Sequence, residues 1–161
     1  MVKLYLPSEQ ATIEFGEKFA TILDYPLNCN LQGALGMGKT TLVQSIVRAN
    51  GVLGKITSPT FTLMETYHCS GYDILHIDLY RVSDPQELEY TGILENITTT
   101  TITFIEWPQN GTGYFPPADL IIEFKQQAEG RELIIEGKTR QGNLVTGQLN
   151  TEQFEKFTLF E

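Results

Sequence analysis

Positions 33–41, GALGMGKTT, carry the densest chemical signal in the chain. They fit the pattern GxxxxGK[ST]: Gly33 and Gly38 permit a tight backbone turn, Lys39 can reach the β/γ-phosphates of a nucleotide, and the Thr40 hydroxyl can meet a magnesium ion. The physics is anion binding by geometry. Successive amide N–H groups form a concave nest and the helix that follows aims its positive dipole end at the same point. A chance match to four constrained positions arises in roughly one chain of this length per few hundred, so the surrounding sequence decides the reading.

A phosphate grip of this type works with an acid at the end of a neighbouring apolar strand. Two acids qualify: Asp78 ends YDILHID and Glu106 ends ITFIE. Either could face the phosphates from the carboxyl end of a sheet, where open α/β folds place their ligands, and the residues alone do not choose between them. Thr57, Ser58 and Thr60 surround Pro59 in a hydroxyl-bearing loop of the kind that orders around a terminal phosphate, with a plain Ser-Pro turn as the competing reading. His76 alternates with Asp78 and shares its strand face, where a core histidine is the commoner outcome. Arg81 has two candidate partners, a phosphate or Glu87, and the ion pair is favoured. Trp107 reads most simply as a packing residue beside Glu106.

The elements that must position these groups follow from periodicity. Residues 2–6 alternate as a strand, and Ser8 opens a helix whose apolar positions include Ile13, Phe15, Phe19, Ile22 and Leu23, closed by Tyr25 and Pro26. Leu27, Cys29 and Leu31 alternate with Asn28, Asn30 and Gln32, a strand more polar than a fully buried parallel strand should be. Leu42, Val43, Ile46 and Val47 mark a helix face from Lys39 onward, with Gly51 at the position of a C-terminal cap. Residues 61–67 and 72–78 read as a hairpin, and Asp84, Pro85 and Glu87 as the start of a short helix that Gly92 closes. Residues 102–105 form a buried-looking strand, residues 108–117 a loop, and residues 120–124 and 133–135 a second hairpin. The tail after Gln141 offers only a short helix near residues 151–157.

A length of 161 residues predicts one domain over the whole chain, 1–161. The net charge of −9 disfavours docking on nucleic acid through the whole surface, and Lys125, Arg131, Lys138 and Arg140 give the C-terminal region its only basic concentration, read as a solvated hairpin face. Cys29 and Cys69 fit no disulfide framework or zinc spacing and read as buried thiols. No stretch approaches the ~20 apolar residues of a membrane span and no signal-peptide h-region opens the chain, so a cytoplasmic protein without membrane contact is expected.

Several longer segments together resemble one family, the bacterial TsaE proteins. They are GALGMGKTT at Gly33, KITSPTFTL at Lys55, HIDLYR at His76, DPQELEYTGI at Asp84 and IEWPQNGTG at Ile105. LPSEQATIEFG near the start and AEGREL at Ala128 add to them. The resemblance implies an α/β fold, a P-loop NTPase core of parallel strands flanked by antiparallel strands with helices packed on the sheet. It implies an ATPase using ATP and Mg2+ that acts with TsaB and TsaD, and with tRNA indirectly through that complex, in forming the threonylcarbamoyl group on adenosine 37. It assigns magnesium to Thr40 and Glu106, and the phosphate cradle to Lys39 and the backbone of Gly36, Met37, Gly38, Thr40 and Thr41. Glu9 and the Gly130 turn are placed near the nucleotide, and Asp78 and residues 57–60, Thr60 among them, in switch-like elements. Where the family commonly reads GDLGAGKT, this chain has Ala34 and Met37.

The leading expectation is a slow Mg-ATP hydrolase, on the order of 10⁻⁴ to 10⁻² per second unaided, because no arginine is evidently aimed at the γ-phosphate. Two alternatives remain: a non-catalytic ATP-gated binding module, and a small-molecule kinase, for which four dispersed arginines and little length for a lid are poor material. A GTPase is disfavoured because no Asn-Lys-x-Asp motif occurs.

Overall fold

Seven strands form one sheet in the order β1-β7-β6-β2-β5-β4-β3 in a computed structural model that describes residues 1–158. The strands are β1 (Val2–Leu6), β2 (Leu27–Gln32), β3 (Met64–His68), β4 (Asp73–Asp78), β5 (Thr101–Glu106), β6 (Leu120–Gln127) and β7 (Gly130–Gly137). Strands β6, β2, β5 and β4 are mutually parallel, while β7 and β1 on one side and β3 on the other run antiparallel to their neighbours. This is the flanked parallel core that the resemblance implies. Three α-helices accompany it: α1 (Glu9–Ala20), α2 (Lys39–Ala49) and α3 (Arg140–Gln148).

The polar alternation of β2 has a simple cause. Leu27, Cys29 and Leu31 are fully buried in the core that α1 and α2 share with the sheet. Asn28 and Asn30 on the opposite face are only half-buried, so the central strand keeps one wet face. A smaller core of Ile77, Leu79, Val82, Leu88, Ile93 and Ile105 covers that face near β4 and β5. The two helices approach closely, since a methyl on Gly16 would sit 1.7 Å from Ser45 Oγ. That contact fixes α1 beside α2.

Local chemistry sets most boundaries. Ser8 caps α1 by accepting from the Ala11 N–H at 3.1 Å. The helix ends at Ala20, short of the expected Tyr25, because Thr21 closes the last turn through its N–H and hydroxyl on Lys18 O. Asp84 and Glu87 form the predicted capping box, although the turn they start, Pro85–Tyr90, is 3₁₀. β3 begins at Met64 and not at Phe61, since Leu63 donates back to Pro59 O and holds φ at 65°.

The hairpin of β6 and β7 is longer than residues 120–124 and 133–135, its strands reaching Gln127 and Gly130. The loop at 108–117 contains a 3₁₀ turn, Pro108–Gly111, and the tail contains the expected short helix as a 3₁₀ segment, Glu152–Phe157. Helix α3 is an addition, capped by Thr139 on the Gly142 N–H and packed so tightly that a methyl on Gly142 would meet Asp119 O at 1.8 Å. Cys29 is fully buried, which pushes its thiol pKa up, and Cys69 is half-buried. No helix among the described residues is long and apolar enough to cross a membrane.

Candidate functional site

Register brings the two strand-end acids together. Asp78 pairs with Glu106 across β4 and β5, and Glu106 with Leu31 across β5 and β2, so both carboxylates emerge beside the loop that leaves β2. That loop ends at Gly38, which precedes α2 with φ of 99° and no side-chain cap. The positive φ suits glycine, and the first-turn amides of α2 are left without a side-chain acceptor. These groups wall a cavity of about 500 Å³ lined by Glu9, Gly36, Met37, Gly38, Lys39, Thr40, Thr41, Thr60, Asp78 and Glu106, together with Leu35, Tyr80, Trp107 and Arg131.

Lys39 is almost wholly buried, and its Nζ donates to Gly33 O at 2.7 Å and Ala34 O at 2.8 Å. The same ammonium lies 4.6 Å from the centre of the Trp107 ring. Burial pulls its pKa below the ordinary lysine value, and the charges of Glu106 and Asp78 oppose that shift. Gly33 therefore serves as an acceptor at the base of the loop and does not line the cavity.

Thr40 Oγ1 donates to Glu106 Oε1 at 2.7 Å, and His76 Nε2 reaches the same oxygen at 2.8 Å. Hydroxyl and carboxylate thus converge at the mouth of the loop. No group of three or more His, Cys, Asp or Glu side chains among the described residues could hold a metal alone. The donor set fits a small hard cation that keeps its waters and takes one or two protein oxygens plus substrate phosphates, which is how Mg2+ is commonly held.

Asp78 is wired differently. Its Oδ2 accepts from Thr60 Oγ1 at 3.1 Å and its Oδ1 from the Tyr80 N–H at 2.9 Å. Thr60 stands 2.8 Å from Ser58 Oγ, and because its hydrogen goes to Asp78, Ser58 is the donor in that pair. The loop at 57–60 is thereby tied to a strand-end acid of the cavity wall. Tyr80 packs on Trp107 with ring centroids 5.0 Å apart, and Trp107 itself holds φ at 57°.

Arg131 departs from the solvated hairpin face that the sequence predicts for it. Lys125 and Lys138 do pair with Glu123 and Glu136 at the surface, but Arg131 turns inward against the loop, 2.6 Å from where a methyl on Gly38 would be. No ion pair to it occurs among the described residues. The signal was present in the alternation, since Arg131 is in phase with Leu133 and Ile135, which face the core. Gly130 lies at the hairpin end against Leu6 O and leaves its neighbour to reach the cavity. Arg81 makes no ion pair with Glu87, whose Oε1 accepts the Asp84 N–H, and instead lies 4.4 Å from the Phe61 ring centre.

The family model described as "Threonylcarbamoyl adenosine biosynthesis protein TsaE" matches residues 6–133. A Haemophilus influenzae protein named tRNA threonylcarbamoyladenosine biosynthesis protein TsaE is 38% identical over 152 residues, covering 91% of this chain and 96% of its own. A Borreliella burgdorferi protein of the same name is 34% identical, covering 83% of this chain and 98% of its own. Among solved structures, Bacillus subtilis YdiB superposes with a TM-score of 0.74 at 21% identity, covering 92% of this chain and 95% of that one, a likeness of fold.

Proposed function

The chain belongs to the TsaE family, and on that premise we propose that it binds Mg-ATP in the cavity and hydrolyses it slowly. The turnover supports formation of the threonylcarbamoyl group on adenosine 37 of tRNA, together with TsaB and TsaD. One observation carries the reading: Thr40 Oγ1 and Glu106 Oε1 meet at 2.7 Å directly beside the phosphate-binding loop.

The amides of residues 36–41 and the Lys39 ammonium hold the phosphate oxygens, the third N–H of Lys39 being free beside its bonds to Gly33 O and Ala34 O. Thr40 and Glu106 would hold Mg2+, whose charge supports the polyphosphate when it is bound. Arg131 adds a second cation from the β7 side. Asp78 orients the attacking water and accepts its proton at a carboxylate oxygen, with Thr60 conveying the state of the 57–60 loop to the same group. Glu9 lines the cavity with Thr41 and would bound the nucleotide there.

A second reading has its own support. Both Asp78 oxygens already accept protein hydrogen bonds, an arrangement that suits a residue sensing nucleotide more than one activating water. In that reading ATP gates partner binding without needing to be hydrolysed.

The deciding experiment measures ATP hydrolysis and tRNA modification with the protein alone and with TsaB and TsaD. Slow hydrolysis alone, acceleration with partners, and loss of both on Lys39→Ala are expected. Rapid turnover alone that survives Lys39→Ala would sink the proposal. Full modification with a Glu106→Ala protein that binds but does not hydrolyse ATP would select the gating reading.

A further inference from the structure

His76 sits in the middle of β4 with no solvent exposure, in phase with Ile74 and Asp78 on the face that carries the site. A residue wanted there for packing alone would be aliphatic or aromatic. His76 instead aims Nε2 at Glu106 Oε1, 2.8 Å away, while its Nδ1 is buried without a partner among the described residues. A carboxylate only accepts, so Nε2 carries the hydrogen and Nδ1 is the unmatched atom. The fold thus tolerates one orphaned polar atom to keep a donor on Glu106.

The geometry points to His76 as a positioning residue for Glu106. Oε1 receives two donors, from Thr40 and from His76, and Oε2 has no hydrogen-bond partner among the described residues. Two bonds on one oxygen restrict both the side-chain rotamer and the plane of the carboxylate, and leave the second oxygen without a protein partner among the described residues. Thr40 must give up part of its contact when its hydroxyl turns to a cation. His76 is not on the cavity wall and stays in place, so it is the partner that preserves the carboxylate's aim at that moment. Groups that hold a metal-ligating side chain from behind typically change metal affinity about 10–100-fold when removed. This inference rests on the metal role proposed for Glu106.

The test titrates Mn2+ into the complex with ADP, followed by electron paramagnetic resonance, for wild type, His76→Phe, His76→Gln and Glu106→Gln. ADP affinity is measured separately in chelator by calorimetry. His76→Phe is expected to loosen Mn2+ about 10–100-fold, with metal-free ADP affinity within about twofold of wild type, and His76→Gln, which keeps an N–H donor, to recover part of the loss. If Phe prevents folding, His76→Leu removes the same donor and the same titration decides. Wild-type Mn2+ affinity in His76→Phe, or equal loss with and without metal, would overturn the positioning role. If Glu106→Gln also binds Mn2+ normally, the metal role of Glu106 fails as well; if only Glu106→Gln is impaired, the metal role of Glu106 stands and the positioning role of His76 alone fails.

Discussion

Asp78 and Glu106 end adjacent strands in the same register, yet opposite kinds of structure hold them. Glu106 is fastened into the body of the protein by a fully buried imidazole and by the first turn of α2. Asp78 is fastened to the segment at 57–60, a connection without regular secondary structure, and to the backbone of Tyr80. In the proposed function this difference would separate two tasks on adjacent strands. A group anchored in packed core keeps its aim regardless of ligand, because close-packed interiors do not deform continuously. A group anchored to a loop can change partners when the loop does.

The sharpest way to break this contrast is to neutralise each acid in turn. Glu106→Gln is expected to lower affinity for Mg-ATP about 10–100-fold, the scale of hydrogen bonds and contacts to a charged group. Asp78→Asn is expected to leave that affinity within about threefold while slowing hydrolysis about 100-fold, the low end for a proton acceptor in the transition state. Calorimetry with a non-hydrolysable analogue and single-turnover assays separate the two, and parallel losses in both variants would erase the distinction.

A smaller effect tests the wiring itself. Thr60→Val removes the donor to Asp78 at nearly constant volume, costing about 1 kcal/mol of loop anchoring. Hydrolysis should fall about fivefold, and amide exchange should quicken at residues 57–63 while β5 stays protected; unchanged exchange there would mean that the loop is held without Thr60, by the Leu63 bond to Pro59 O and by the Tyr67 hydroxyl, which donates to Thr57 O at 3.0 Å. The smallest effect concerns Lys39. Its pKa is lowered by burial and would rise when phosphate replaces lost solvation, so above the free enzyme's lowered value nucleotide binding is coupled to uptake of the proton that the free lysine has lost. ADP affinity should therefore decline with rising pH, starting below the ordinary lysine range, with Glu106 and Asp78 as the charges that set the midpoint. A decline that begins only above the ordinary value would show that Lys39 is not desolvated in the free protein.

Much of this is legible in the amino-acid sequence. The strand, loop and helix around Lys39, the hairpin of β3 and β4 and the acids at two strand ends all follow from alternation and turn residues, because those signals are local. What escaped was set by contacts between distant parts. Arg131 reaches Gly38 across the sheet, and only its phase with Leu133 hinted at it. Helix α3 lacks a strong apolar face in sequence, with Gly142 and Gly147 in its length; tertiary packing against β7 and Asp119 forms it. Tyr80 and Trp107 lie next to the predicted acids, but their tilted ring contact depends on the turn after β4. His76 was visible as a neighbour of Asp78 in phase, whereas its partner belongs to another strand.

The resting position of Lys39 has a thermodynamic consequence. Its ammonium is shared between two loop carbonyls and the face of Trp107, and in the proposed complex a phosphate competes for the same charge. Binding is then linked to the loss of an aromatic contact, and linkage is reciprocal. In that complex, whatever draws the Trp107 ring, on which Tyr80 packs, away from Lys39 would raise nucleotide affinity by the same factor by which nucleotide frees that ring. Tyr80 is 47% exposed, so one side of this equilibrium is open to the surface and the other is buried at the phosphate.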